Sequence, residues 1–483
     1  MRGKRFGRTI GAAVALAMVS GCGGGGGTSG ATSSTGSGGT SSGGGGTTTA
    51  GCSLRERQDW AAATLKEWYL FPDTLPANLD PTPYTNVGDY IDALTATARA
   101  QHKDRYFTYL TSIAAEDAYY NSGSSAGFGV RLAYDTVAAR VFVAESFEGA
   151  PALAAGIDRG TEILAIGTDA SNLVPVNTII ASGGAQAVSD ALGPSTAGTT
   201  RVLKVVTGGV TSTVTVTKTD YSLTPVSSRY GAKIITEGGK QYGYLNLRTF
   251  INTADPALRD AFAQFRTAGV TDVIVDLRYN GGGLISIADL MGDLLGANRN
   301  ASDVFEYTTF RPEKSSNNST HTFTAQPQSI APTHIAFIGT TGTASASELV
   351  INGMVPYLHA NEALVGTNTY GKPVGQIAVD KTACDDRLRV IAFALQNANH
   401  QGAYYDGLAN FVEASCQAGD DVTYPLGDPR EASTRSALDF LEGKACTKIT
   451  ASTGQSTLSL QNKRELITPA HPDTAQRETP GLF

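Results

Sequence analysis

The sequence predicts an α/β core with parallel strands, preceded by a small all-β module and, before that, an N-terminal helical segment. Three observations predict it. Between residues 242 and 365, short apolar runs alternate with amphipathic helical patterns, as in parallel strands joined by helices. Between residues 127 and 218 the apolar period is two, as in half-buried strands. Before residue 122, apolar residues such as Leu54, Trp60, Leu65 and Trp68 recur at roughly helical spacing.

In chain order, the helical segment occupies residues 52–122. Phe71-Pro72-Asp73 breaks its first run, and residues 87–100 carry a second amphipathic pattern. The pattern leaves open whether this is a domain of its own or a helical lead-in to the β module. The β module occupies residues 123–222. Residues 130–132 and 140–143 read as strands. Gly149-Ala150-Pro151-Ala152 opens a short helix ending at Gly156, and residues 162–166, 202–206 and 214–218 supply further strands. The core runs from 223 to 447. Its strands are expected at 242–247, 273–277, 335–338 and 363–365, and its helices near 256–268, 284–295, 347–358 and 432–441. Residues 448–483 are polar and carry prolines, which predicts a flexible C-terminal tail.

The chain has 483 residues and a net charge of −7, which argues against a general nucleic-acid binder. The one apolar run near membrane length lies at the N-terminus, so a polytopic membrane protein is excluded. There Arg2, Lys4, Arg5 and Arg8 precede a short apolar stretch, the pattern of a signal peptide over residues 1–21. Val19-Ser20-Gly21-Cys22 resembles the lipobox of bacterial lipoproteins, which implies lipidation at Cys22. An ordinary secretory signal cut near Gly21 is the alternative. Gly23 resembles outer-membrane sorting, so the expected location is the outer membrane, facing the periplasm. After the cysteine, residues 22–51 are almost wholly Gly, Ser, Thr and Ala and cannot bury enough apolar surface to fold, which predicts a flexible tether. Cys52, Cys384, Cys416 and Cys446 remain, an even number suited to disulfides in an oxidising compartment, with three pairings open. No C-x-x-C is present, so no zinc or redox motif is implied.

Three core loops carry residues of chemical interest. Asp276-Leu277-Arg278-Tyr279-Asn280-Gly281-Gly282-Gly283 lies between a strand and a helix. Gly342-Thr343-Ala344-Ser345-Ala346-Ser347-Glu348 does the same, and Thr369-Tyr370-Gly371-Lys372-Pro373 follows the next strand. Loops leaving the carboxyl ends of parallel strands share one sheet edge, so these three can converge. Ser345 and Glu348 form an S-x-x-E capping box. It sets Ser345 at a helix N-terminus, where free N–H groups and the helix dipole stabilise an oxyanion. The same residues would serve equally as a plain N-cap.

A serine hydroxyl needs a base. None of the six histidines (His102, His321, His334, His359, His400, His471) sits in a suggestive motif. Lys372 is the better candidate: burial lowering its pKa of ~10.4 by about three units would let it act near neutrality. Gln376, four residues on, is placed to hydrogen-bond the neutral amine. Taken alone, Lys372 is as readily a surface lysine in a turn. Gly281-Gly282-Gly283 lets main chain approach a ligand, and an N–H from it could join that of Ala346 in an oxyanion hole. The phosphate-binding patterns G-x-x-x-x-G-K-[ST] and G-x-G-x-x-G are absent.

The loop Gly127-Phe128-Gly129-Val130 resembles the carboxylate-binding loop of PDZ domains. Residues 149–167 resemble their helix-turn-strand signature, with Thr161 where an acidic residue is usual. That resemblance implies a peptide adding as a strand with its terminal carboxylate on the loop's N–H groups. The segments DLRYNGGG at 276–283, TASASE at 343–348 and Gly371-Lys372 resemble the motifs of C-terminal processing peptidases, the S41 serine peptidases. Residues 244–250 resemble the strand that opens their catalytic core, and the order helical segment, PDZ, α/β core is theirs.

This resemblance implies Ser345 as nucleophile, Lys372 as base and then acid, Gln376 orienting the lysine, and Ala346 and Gly282 as oxyanion donors. It implies no cofactor and no metal. The implied partners are protein substrates with unstructured C-termini, an adaptor or regulator, and a membrane through the lipid anchor, with no nucleic acid. The interval from Ser345 to Lys372 is slightly long for the family, and the excursion 384–416 is unusual.

The expected function is a serine endopeptidase cleaving exported or periplasmic proteins near their C-termini. The alternative is a catalytically silent PDZ scaffold or substrate-binding protein on the same fold, with Lys372 solvated and protonated. A non-peptidase α/β hydrolase with a distant histidine is disfavoured, because G-x-S-x-G is absent around Ser345.

Overall fold

The structure, a computed structural model, describes residues 49–135, 137–450 and 464–483. The signal peptide, the lipidation of Cys22 and most of the tether fall on residues 1–48, outside the described residues.

Helix α1 (Leu54–Trp68) starts at Ser53, whose N–H donates to Glu56 Oε2 at 3.1 Å while its Oγ accepts from the Glu56 N–H at 3.4 Å, a reciprocal cap. Helices α2 (Val87–Leu94) and α3 (Ile113–Ser122) follow. Ala61, Leu65, Tyr90 and Ile91 bury against Val374, Leu388, Val390 and Ile391, which come from far along the chain. The helical segment therefore shares its core with the last third of the chain, and a disulfide from Cys52 to Cys384 ties the two.

The β module is an antiparallel sheet in the order β1 (Val130–Asp135), β2 (Arg140–Ser146), β3 (Glu162–Gly167), β4 (Thr200–Thr207), β5 (Val210–Thr217). Helix α4 (Val176–Leu192) packs Ile179, Val188 and Leu192 onto Leu132, Val141, Ile163 and Leu203. The sequence pattern gives no sign of α4. Its β-branched start and its Gly183-Gly184 pair, where the helix kinks, oppose a helix by propensity, and burial of one face overrides them.

In the core, β6 (Lys233–Glu237), β7 (Lys240–Asn246), β8 (Asp272–Asp276), β9 (His334–Gly339) and β10 (Glu362–Gly366) lie side by side. β6 is antiparallel to β7 and the rest are parallel. β11 (Val374–Lys381) and β12 (Asp386–Gln396) form a hairpin in a second sheet that also pairs Tyr109–Ser112 with β12. β13 (Ala414–Gln417) closes the core sheet beside β10, and Cys416 is bonded to Cys446. Helices α5 (Ala254–Thr267), α6 (Ile285–Leu295) and α7 (Ala346–Leu358) cover the face that carries Val273 and Val275. Helix α8 (Ala432–Leu441) covers the face that carries Ile274. A parallel sheet buried on both sides accounts for the apolar runs. The expected core strands and helices agree with these spans within two residues at each end.

Where the sequence predicts a flexible tail, residues 464–483 instead form β14 (Arg464–Leu466) and α9 (Thr474–Glu478). Three apolar anchors explain the difference: Ile467, Leu482 and Phe483 are 0, 3 and 3% exposed. They are few and scattered among polar residues, so composition hid them. No helix among the described residues is long and apolar enough to cross a membrane.

Candidate active site

The parallel register sets the three loops level. Asp276 faces Ile338 and Gly339 faces Gly366, so the chains leaving β8, β9 and β10 start at one sheet edge.

The first loop is braced from beneath. The Arg278 guanidinium is fully buried and donates to Asp276 and to both oxygens of Glu431, each at 2.9 Å. Tyr244 donates its hydroxyl to Asp276 at 2.7 Å. Asn280 then joins the first loop to the second. Its amide donates to Leu247 O and its Oδ1 accepts from Gly282 N–H, both at 2.9 Å. Its main-chain carbonyl accepts from Ala344 N–H and Ser347 Oγ, both at 3.0 Å.

Ser345 is the N-cap of α7 at φ +54°, ψ −116°, a left-handed conformation for a residue with a side chain. Holding it there costs about 1–3 kcal/mol and turns the side chain out at the helix mouth. Gly282, at φ +119°, lies against it: a Cβ on Gly282 would come within 2.8 Å of Ser345 Cβ and 3.1 Å of Ala346 N. The Ala346 N–H is a first-turn donor with no partner among the described residues. The Gly282 N–H differs from expectation. Asn280 Oδ1 engages it, so in this state Gly282 is a close-packed neighbour of Ser345 rather than an open oxyanion donor.

Lys372 lies between β10 and β11. Its Nζ donates to Gln376 Oε1 at 3.1 Å and stands 5.2 Å from the centre of the Phe107 ring. A bulge in β11 between Gly375 and Gln376 re-aims Gln376, whose amide nitrogen also donates to Phe107 O. Burial lowers the Lys372 pKa from its ordinary value, and the Glu478 carboxylate pushes it back up. No hydrogen bond joins Ser345 Oγ to Lys372 Nζ among the described residues, and no histidine bonds to either.

One buried carboxylate connects the two residues. Glu348 Oε2 accepts from the Ser345 N–H at 3.0 Å and from the Lys372 N–H at 2.7 Å, and its Oε1 accepts from the Gly371 N–H at 2.7 Å. The capping box read from S-x-x-E thus also clamps the lysine loop. Burial raises the Glu348 carboxyl, and the Thr369 hydroxyl together with these N–H groups holds it down.

In the β module, the N–H groups of Gly129 and Val130 donate to Phe483 O at 2.9 and 3.2 Å. Gly127 lies against the same group, and Phe128 is buried in the module's core. Sequence reasoning missed the parts played by Asn280, by Glu348 beyond its capping box, by Phe107 and by Glu478. The first two stand inside the quoted motifs, whereas Phe107 and Glu478 carry no local signal.

Residues 241–404 match the family described as peptidase family S41. The chain is 26% identical over 279 residues to the chloroplastic C-terminal processing peptidase of Tetradesmus obliquus, covering 54% of each chain. It is 27% identical over 258 residues to the carboxyl-terminal-processing protease of Picosynechococcus sp., covering 52% of this chain and 55% of that one. The chain spans about half the length of these curated relatives. A crystallised Bacteroides fragilis chain described as an S41 protease shares the fold. Its TM-score is 0.60 at 21% identity, covering 80% of this chain and 97% of that one. Over residues 241–404 the chain is therefore similar to peptidase family S41.

Proposed function

We propose that the protein is a serine endopeptidase that cleaves exported or periplasmic proteins near their C-termini through Ser345 and Lys372. The observation that carries this is the shared clamp: a single carboxylate oxygen, Glu348 Oε2, holds the main chains of a strained serine and a desolvated lysine. In the reaction, neutral Lys372 takes the Ser345 hydroxyl proton as Oγ attacks the scissile carbonyl. The Ala346 N–H bonds the resulting oxyanion. The Lys372 ammonium then gives its proton to the departing amine, leaving an ester on Ser345. Lys372 next deprotonates a water that attacks the ester, and returns that proton to Ser345 Oγ as the acyl C–O bond breaks. Gln376 orients the lysine. Catalytic hydrogen bonds are often long before substrate binds and tighten in the complex, which fits the open Ser345–Lys372 geometry.

The 123–222 module would capture the substrate's C-terminal segment at Gly127-Phe128-Gly129-Val130. The curated relatives' names, C-terminal processing peptidase and carboxyl-terminal-processing protease, support that substrate class. The two disulfides support an oxidising compartment, and Cys22 would tether the protein to the outer membrane.

Cleavage of an unfolded protein is the test. Ser345→Ala and Lys372→Ala are each expected to lower it by about a thousandfold or more while the thermal transition is unchanged. Full activity in Lys372→Ala would overturn the dyad. Recovery in the membrane fraction, lost in Cys22→Ala, checks the tether.

A further inference from the structure

The groove read as a peptide site is filled by this chain's own residues. β14 pairs antiparallel with the free edge of β1, Arg464 opposite Asp135 and Leu466 opposite Ala133, and Ile467 N–H donates to Leu132 O at 3.0 Å. The chain then leaves that edge, runs through α9 and returns. Leu132 N–H donates to Gly481 O at 2.8 Å and Phe483 N–H to Val130 O at 2.9 Å, with the Phe483 carbonyl in the Gly129-Val130 loop. Direction and register are those of a peptide added as a strand. Phe483 joins Phe128, Val130 and Ile179 in the module's core, while Leu482 packs with Tyr119, Phe147 and Ile251.

The residues between the two paired stretches lie over the catalytic loops. Gly281 N–H donates to Glu478 O at 3.0 Å, and a Cβ on Gly281 would meet Arg477 O at 2.3 Å. Tyr119 and Tyr120 hydroxyls bond Thr479 and Glu478, each at 3.0 Å. Arg477 donates to Tyr106 O at 2.9 Å and stacks 3.9 Å from the Tyr109 ring centre. Residues 468–473 and Arg477 form one wall of a cleft of about 460 Å³ beside Tyr370, two residues before Lys372. The buried Glu478 carboxylate also favours the ammonium form of Lys372, which the reaction cannot use as base.

We propose that residues 464–483 are an internal ligand of this groove, and that the groove takes extended peptides carrying two adjacent bulky apolar residues, as Leu482-Phe483 are. A substrate enters by displacing this segment, which uncovers the Gly281-Gly282 turn and separates Glu478 from Lys372. This rests on the reading of residues 123–222 as a peptide-binding module.

The test uses the full chain carrying Ser345→Ala and a fluorescent peptide with the sequence of residues 474–483. Anisotropy follows binding to that chain and to the same chain with Leu482→Asp and Phe483→Asp added. Unseating the internal segment is expected to tighten peptide binding at least tenfold, and a control peptide ending Asp-Asp is expected not to bind. Equal affinity in both chains overturns the proposal, as does no binding to an unseated chain with an intact thermal transition. Should the double variant not fold, hydrogen exchange on the chain without those two changes decides. Saturating peptide is expected to strip protection from residues 477–483 while β1 stays protected, and unchanged protection overturns the proposal. Neither readout depends on cleavage, so failure of the Ser345–Lys372 dyad leaves both unmoved.

Discussion

Ser345 is held against its own preference. Its φ of +54° brings Cβ against the main chain, and the compensation comes from neighbours that have no alternative. Gly282 leaves room beside it, and Glu348 takes its N–H. In the proposed mechanism Glu348 is therefore a positioning residue. Glu348→Gln keeps the shape but exchanges one acceptor oxygen for a donor, so one of the three N–H groups loses its partner. Stability is expected to fall by about 1–3 kcal/mol in denaturant titration. A main-chain shift at Ser345 and Lys372 is expected to lower kcat about a hundredfold with KM little changed; equal losses in kcat and KM would argue against positioning. At this scale the place of Ser345 at a helix mouth and the pairing of Lys372 with Gln376 were legible, because each stands in or beside a short motif with a chemical rationale. The contacts of Asn280 and Phe107 and the hold of Glu348 on the lysine loop were not, because their partners lie tens to hundreds of residues away and only folding supplies them.

Three adjacent parallel strands do for the loops what hydrogen bonds do for single residues. β8, β9 and β10 end level, and the buried Arg278 fixes the first loop by spanning Asp276 and Glu431. Removing one member leaves uncompensated charge in a dry interior. Arg278→Ala is expected to cost about 3–5 kcal/mol, read from the denaturation midpoint, and a loss under 1 kcal/mol would show the network to be incidental. The core strands and helices were readable because a parallel sheet covered on both faces writes apolar runs into the sequence. The β11–β12 hairpin and α4 were not. The hairpin's partners include Tyr109–Ser112 and Val304–Phe310, far away in sequence, and α4 is held by burial against its propensity.

Across the molecule, charges and covalent ties join the parts alongside shared apolar surface. Arg248 of the core donates to Glu145 and Glu148 of the β module, both at 2.7 Å, and Arg159 of the module donates to Asp420 of the core at 3.0 Å. The Cys52–Cys384 disulfide closes a separation of 332 residues. Replacing both cysteines by serine is expected to lower stability by about 2–4 kcal/mol, seen as a lower denaturant midpoint; an unchanged midpoint would mean the α1–α2 packing alone anchors the segment. The segment 464–483, which crosses module, helical segment and core, was illegible for a related reason. It folds through strand pairing with β1 and three apolar anchors, and neither leaves a periodic trace.

The dyad is tested most directly by the pH dependence of Ser345 acylation, with a covalent serine-directed probe and intact-mass readout. The neutral amine is the reactive form, so labelling should be slow at low pH, rise along a one-proton limb and level off above the Lys372 pKa. Because burial lowers that pKa, the limb should lie below the ordinary lysine value of 10.5. In Lys372→Ala the account predicts that the limb disappears and labelling slows about a thousandfold. Labelling of Ser345 at an unchanged rate and with an unchanged pH limb in Lys372→Ala would contradict it.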